Sequence, residues 1–166
     1  MPGRSISSSL RVLAKVGLWE SLLHREEGVE TCCLHAIIPD GGMLGLTLRE
    51  GGAGELGLVL IRGKWRWPPG VRVPVTFEFS DQAALVVPGA GDGITLSAEM
   101  SPAEAARVLD LMAACERMAI RIAAVDGPAW SFDLFGARIA IDALMVGCAE
   151  RGIAAPPVTY NARAAG

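Results

Sequence analysis

The sequence predicts a mostly β, α+β fold: an antiparallel sandwich-like or bent sheet closed by two late helices. Three observations carry this. Val71, Val73, Val75, Phe77 and Phe79 fall on one face of a ten-residue run, with Arg72, Pro74, Thr76, Glu78 and Ser80 on the other. That period of two is the mark of a half-buried strand. The period turns helical only after Ser101, so strands and helices do not alternate as a doubly wound parallel sheet requires. Twenty glycines and 10 prolines in 166 residues punctuate the chain into many short elements.

The elements follow in order. Leu18 to His24, Val29 to Ile38 and Met43 to Glu50 read as strands, the last with Leu44, Leu46 and Leu48 inward. Gly51-Gly52-Ala53-Gly54 connects to Leu56–Ile61, apolar throughout and so more central. Pro74 lacks an N–H and marks an edge or a bulge within Val71 to Ser80. Ala83 to Val87 and Ile94 to Glu99 are shorter strands. Ser101-Pro102-Ala103-Glu104 has capping-box spacing, with Pro102 at the first helical position. Val108, Leu111, Met112, Cys115 and Met118 then recur at helical spacing, which predicts a helix from Ser101 to Arg117. Ala119 to Val125 reads as a strand, Asp126-Gly127 as a turn and Trp130 to Leu134 as a strand. A last helix covers Ala137 to Arg151, with Ile141, Leu144, Met145 and Cys148 on its apolar face and Gly152 as its stop. Asp142, four residues after Arg138, reads as one half of a helix surface pair. The total is eight or nine strands and two helices. The domain reading is a flexible segment at 1–16, one β-rich domain at 17–152 and a flexible tail at 153–166.

Composition narrows the function. Fifteen Lys+Arg against 18 Asp+Glu give a net charge of −3, without the basic excess that non-specific nucleic-acid binding needs. No run approaches the roughly 18 apolar residues of a membrane-crossing helix. Residues 1–15 lack the apolar core of a secretory signal. The expected location is therefore periplasmic if an export segment is missing from this chain, and cytoplasmic otherwise. Only His24 and His35 are available for acid–base work.

Cys32-Cys33-Leu34-His35 is the one dense group of soft ligands, but adjacent strand residues point to opposite faces and cannot easily share a tetrahedral metal. Cys33 and His35 share a face, yet diverge and lack an orienting Asn or Asp. No phosphate-cradling or calcium loop is present. No catalytic residue, metal or cofactor is expected. Arg62-Gly63-Lys64-Trp65-Arg66-Trp67 interleaves cations with aromatics. Arg62, Lys64, Trp65, Arg66 and Trp67 form a possible binding rim for an anionic partner. The competing reading has Trp65 and Trp67 covering the core at a strand end.

Gly17-Leu18-Trp19, Cys32 or Cys33, Lys64-Trp65-Arg66-Trp67-Pro68, Val73 to Asp81, and Phe132 to Gly136 with the helix to Cys148 form an ordered pattern. It resembles bacterial envelope proteins of unknown function akin to the invasion-associated locus B family. That resemblance implies an exported, mostly β, non-enzymatic domain whose second strand is tied to the final helix by a disulfide. Cys32 and Cys148 are the expected pair, with Cys33 as rival and Cys115 also on an apolar face. The expected function is a non-catalytic interaction or ligand-binding module of the bacterial envelope, its partner an unspecified protein or small ligand. The alternatives are a cytosolic adaptor with reduced cysteines and a small hydrolase or thiol enzyme.

Overall fold

A computed structural model describes residues 8–38, 41–80, 82–123 and 130–160. The strands are β1 (Ser9–Val16), β2 (Trp19–Glu26), β3 (Val29–Ile38), β4 (Gly42–Arg49), β5 (Leu56–Ile61), β6 (Trp67–Phe79), β7 (Gln82–Gly93), β8 (Thr95–Met100), β9 (Arg117–Ile122) and β10 (Trp130–Asp133). The helices are α1 (Pro102–Ala114) and α2 (Ala137–Glu150). All ten strands form one antiparallel sheet in the order β1-β2-β3-β4-β5-β8-β7-β6-β9-β10. The sheet curls into a half-barrel with both helices late in the chain, the bent-sheet form of the expected class.

The alternation that predicted the strands also builds the core, because register aligns one apolar face from strand to strand. Trp19, Ala36, Leu44, Leu60 and Leu96 are successive cross-strand partners in one row. Leu34, Leu46 and Leu58 form the next, and Leu23, Cys32 and Leu48 a third. In the far half, Phe77 meets Ile120 and Phe79 meets Met118. All these residues are buried, and each large apolar side chain contributes about 1.5–3 kcal/mol through burial. Helix α2 packs on β1, β2 and β3, and α1 packs on α2, β6 and β8. The capping box forms in full: Glu104 N–H donates to Ser101 Oγ at 3.2 Å, and Ser101 N–H donates to Glu104 Oε1 at 3.0 Å.

The two ends of the sheet approach each other at one corner, the turn between β1 and β2. Strands β1 and β10 are the sheet's two ends, but the Trp19 indole N–H donates to the Asp133 carbonyl at 2.8 Å and its ring lies 5.9 Å from Phe132. The turn into α2 sits against the end of β1: a Cβ placed on Gly136 would fall 2.4 Å from Val16 Cγ1.

Several expectations need correction. Ser9–Val16 is a paired strand, so half of the segment assigned to a flexible N-terminus belongs to the sheet. Its period was obscured by a bulge at Leu13, where the register with β2 shifts. Strand β6 starts at Trp67, and the Pro68-Pro69-Gly70 stretch is a register shift inside it rather than a turn before it. Strand β7 runs on to Gly93 despite Pro88. Pro88 lies opposite Pro74. Two residues without N–H can face each other only where neither must donate across that pair. Pro74 O instead accepts from Ala123 N–H on the β9 side at 3.3 Å, where the second neighbour of β6 runs out.

Helix α1 stops at Ala114, with Cys115 as its cap, and Met118 is an inward residue of β9. The strand expected from Ala119 is β9, beginning earlier at Arg117; the Asp126-Gly127 turn lies outside the described residues. Asp142 is no surface residue: it is buried near Tyr160. The start of the expected tail is docked as well. Asp110 accepts from Thr159 N–H at 2.8 Å, Thr159 Oγ1 at 2.8 Å and Tyr160 N–H at 3.1 Å, and Ile153 is buried.

Candidate functional site

The cation–aromatic segment folds as a lid on one end of the half-barrel. Arg62 N–H donates to Ile94 O and Trp65 N–H to Arg62 O, both at 3.0 Å, so the chain turns back over the sheet after β5. Trp65 is left 8% exposed. Its ring stacks on Trp130 at 5.2 Å and 11°, and Trp67 lies 5.5 Å away. Trp67 itself lies across Gly91, where any Cβ would come within 2.7 Å of it. The Arg62 guanidinium sits 5.0 Å above Trp130. Lys64 and Arg66 are exposed, Arg66 folding back onto the Gly63 and Trp65 carbonyls at 2.8 Å and 2.5 Å. The tryptophans therefore spend their faces on one another, on Arg62 and on the core. The expected packing of Trp65 and Trp67 holds, and Arg62 is half-buried rather than free. The third aromatic, Trp130, comes from β10, two strands from β6 in the sheet, and had no local signal.

The cysteines separate by face. Cys32 points inward from β3 and Cys148 inward from α2; both are fully buried, and each thiol shifts the other's titration. An ion pair between Arg151 Nη1 and Glu30 Oε1 at 3.3 Å pins the same two segments together. The Cys148 thiol is held above its ordinary value first by its interaction with Cys32 and then by burial. The expected partners share the core side of the sheet but do not stand at disulfide distance, and all four cysteines are free thiols. Cys33 points to the outer face opposite Leu22, which removes it as a rival for Cys148. Its thiol is pushed up to about 11 by burial and by neighbouring Cys32, so at neutral pH it is not a thiolate nucleophile.

His35 Nε2 lies 3.1 Å from Glu20 Oε1 on that outer face. One cleft of about 460 Å³ is lined by Cys115, Glu116, Arg117, Asp133, Leu134 and Phe135. Another, of about 490 Å³, lies between α1 and the Pro157–Thr159 stretch. Neither histidine lines either cleft. No group of three or more metal-ligating side chains occurs among the described residues, and no helix among them is long and apolar enough to cross a membrane.

The feature that sequence reading missed is the flank formed by β1 and α2. Leu10, Val12, Leu18, Phe135, Ile139 and Val146 are 63%, 51%, 39%, 73%, 54% and 56% exposed. They lie on β1, in the turn after it, in the turn before α2 and on α2. A Cβ on Gly17 would lie 2.9 Å from Phe135 O, one on Gly136 would overlap Val16, and one on Gly147 would lie 2.7 Å from Leu13 Cδ1. Helix α2 therefore runs alongside β1, with Ile139 and Val146 two turns apart on its outer side. Their signal was visible in the sequence as two apolar residues off the Ile141–Leu144–Cys148 face. Comparisons with family models, curated proteins and solved structures return no match for this chain.

Proposed function

We propose that this chain is a non-catalytic interaction module of the bacterial envelope that engages a protein partner through the β1–α2 flank. The observation that carries the reading is the exposed apolar surface of Leu10, Val12, Leu18, Phe135, Ile139 and Val146 beside the end strand of the sheet. Exposed apolar side chains gathered on elements that pack together mark a contact site. The raised Cys33 thiol, and clefts whose linings hold neither histidine, weigh against the hydrolase and thiol-enzyme readings. A photo-crosslinking residue placed at Phe135 or at Ile139, in the cells that make the protein, is expected to give a discrete protein adduct. The same residue at Val86, equally exposed on β7, is expected to give none. Adducts at all three positions, or at none, would remove the flank as the contact surface.

The compartment is read from the resemblance and from the interaction of Cys32 with Cys148. In an oxidising compartment these two thiols would give up two protons and two electrons to a disulfide-class oxidant, before α2 docks and buries them. The bridge would close most of the chain into one loop, an effect of about 4–5 kcal/mol on the chain-entropy account. Native material denatured without reductant should then show two reactive thiols, Cys33 and Cys115, of the four. Four reactive thiols would assign the module to a reducing compartment, as a cytosolic adaptor.

A further inference from the structure

Strand β1 pairs with β2 on one side only and ends the sheet. An end strand offers a row of backbone donors and acceptors to an added strand. The surfaces to either side of β1 are apolar. Leu10 and Val12 lie opposite His24 and Leu22, on the outer face of the sheet, since Trp19, Ser21 and Leu23 face the core. On the inner side stands α2, with Gly136 at the Val16 end and Gly147 at Leu13, presenting Ile139 and Val146. Side chains of an added strand would thus meet Leu10 and Val12 on one face and the α2 flank on the other.

Charge selects the occupant. Between Ser9 and Val16 the only charged residues are Arg11 and Lys15, both exposed. Lys15 has one loose acidic neighbour, Glu20 at 3.9 Å. Two copies of β1 laid side by side would bring their cations together, and basic side chains with a bulge are the devices that keep end strands from self-pairing. An acidic partner meets the same cations favourably.

Resting on the reading of the β1–α2 flank as the contact surface, we infer that the partner is an extended acidic segment that adds to β1 as an eleventh strand. The register sets its pattern. Read antiparallel against Lys15, Ala14, Val12, Arg11 and Leu10, with Leu13 absorbed by the bulge and Val16 already covered by Gly136, the segment is acidic, apolar, apolar, acidic, apolar.

The probe is a fluorescent acetyl-Thr-Val-Glu-Val-Val-Glu-Val-Thr-amide peptide, followed by anisotropy with the full chain. Saturable binding is expected. A peptide with lysine for both glutamates, and one N-methylated at alternate amides, should each bind at least tenfold more weakly. The Arg11→Glu/Lys15→Glu double variant, checked for its fold by circular dichroism, should reverse the preference between the glutamate and lysine peptides. Equal binding of the three peptides, or no binding, would overturn strand addition; with adducts still restricted to Phe135 and Ile139, the flank would stand as a contact surface of another kind. Concentration-dependent dimers in sedimentation that vanish in Val12→Asp would make a second copy the occupant and overturn the acidic segment. Loss of the restricted adducts themselves is the separate failure of the underlying reading.

Discussion

Replacing Trp19 by alanine is expected to destabilise the chain by about 3–5 kcal/mol, the cost of removing a large aromatic from a packed core. Trp19 is fully buried, packs against Phe132 and donates to the Asp133 carbonyl at 2.8 Å. It holds β2 against β10 where no ladder joins the two ends of the sheet. Phenylalanine at the same position retains most of the apolar area and loses the hydrogen bond, so Trp19→Phe should cost about 1–3 kcal/mol, chiefly for the carbonyl left unpaired. Urea or guanidinium unfolding read by far-ultraviolet circular dichroism separates the two variants. A loss below about 1.5 kcal/mol in Trp19→Ala, outside the range for such truncations, would mean that this corner does not hold the sheet's ends together.

The second large effect is expected at Gly136. Its φ is +80°, and a methyl group there would fall 2.4 Å from Val16 Cγ1, 2.7 Å from Val16 Cβ and 2.9 Å from Val16 O. The left-handed backbone costs an alanine about 1–2 kcal/mol, and forcing a methyl into packed space adds about 1–3 kcal/mol. Gly136→Ala should therefore lose roughly 2–5 kcal/mol, the sum of those two terms. Gly152 supplies the control: its φ is +67°, and nothing lies within 4 Å of its would-be Cβ. Gly152→Ala should show the backbone cost alone. Equal losses in the two variants, measured by the same unfolding curves, would show that β1 and the α2 turn are not in contact at this point.

What the sequence disclosed followed from which forces act locally. Strands β3 and β5 coincide with the runs read from apolar patterning, β3 because its alternation survives intact and β5 because its run is apolar throughout. The start of α1 was legible because Ser101, Pro102 and Glu104 are a local device, complete within one turn. Its end was not: Met118 continues the helical spacing, yet pairs from β9 with Phe79 of β6, a long-range contact that overrides the local period. Strand β1 was hidden because the Leu13 bulge breaks its alternation and half its large apolar residues face solvent. The end of β7 was hidden because Pro88 and the glycines after it read as a turn, and only Pro74 across the ladder makes them compatible with a strand.

The same division holds for the candidate site. Alternation turned Cys32 inward and helical spacing did so for Cys148, so the burial of both was foreseeable; that they do not stand at disulfide distance was not. Trp65 and Trp67 could be read as core cover from their own segment, whereas Trp130 as a stacking partner depends on the long-range pairing that sets β9 and β10 beside β6. Ile139 and Val146 could be seen to lie off the apolar face of α2. That they stand beside an unpaired strand is a fact of topology alone.

Amide hydrogen exchange across Ser9–Val16, followed residue by residue by NMR on the free protein, tests the central claim most directly. That claim is that β1 is an open end of the sheet. Amides pointing toward β2 should be protected and those pointing away should exchange at rates close to those of exposed backbone, an alternation interrupted at the Leu13 bulge. Addition of the acidic peptide should then slow the outward set. Uniform protection along β1 in the free protein would contradict the account, because the strand's outer side would already be covered.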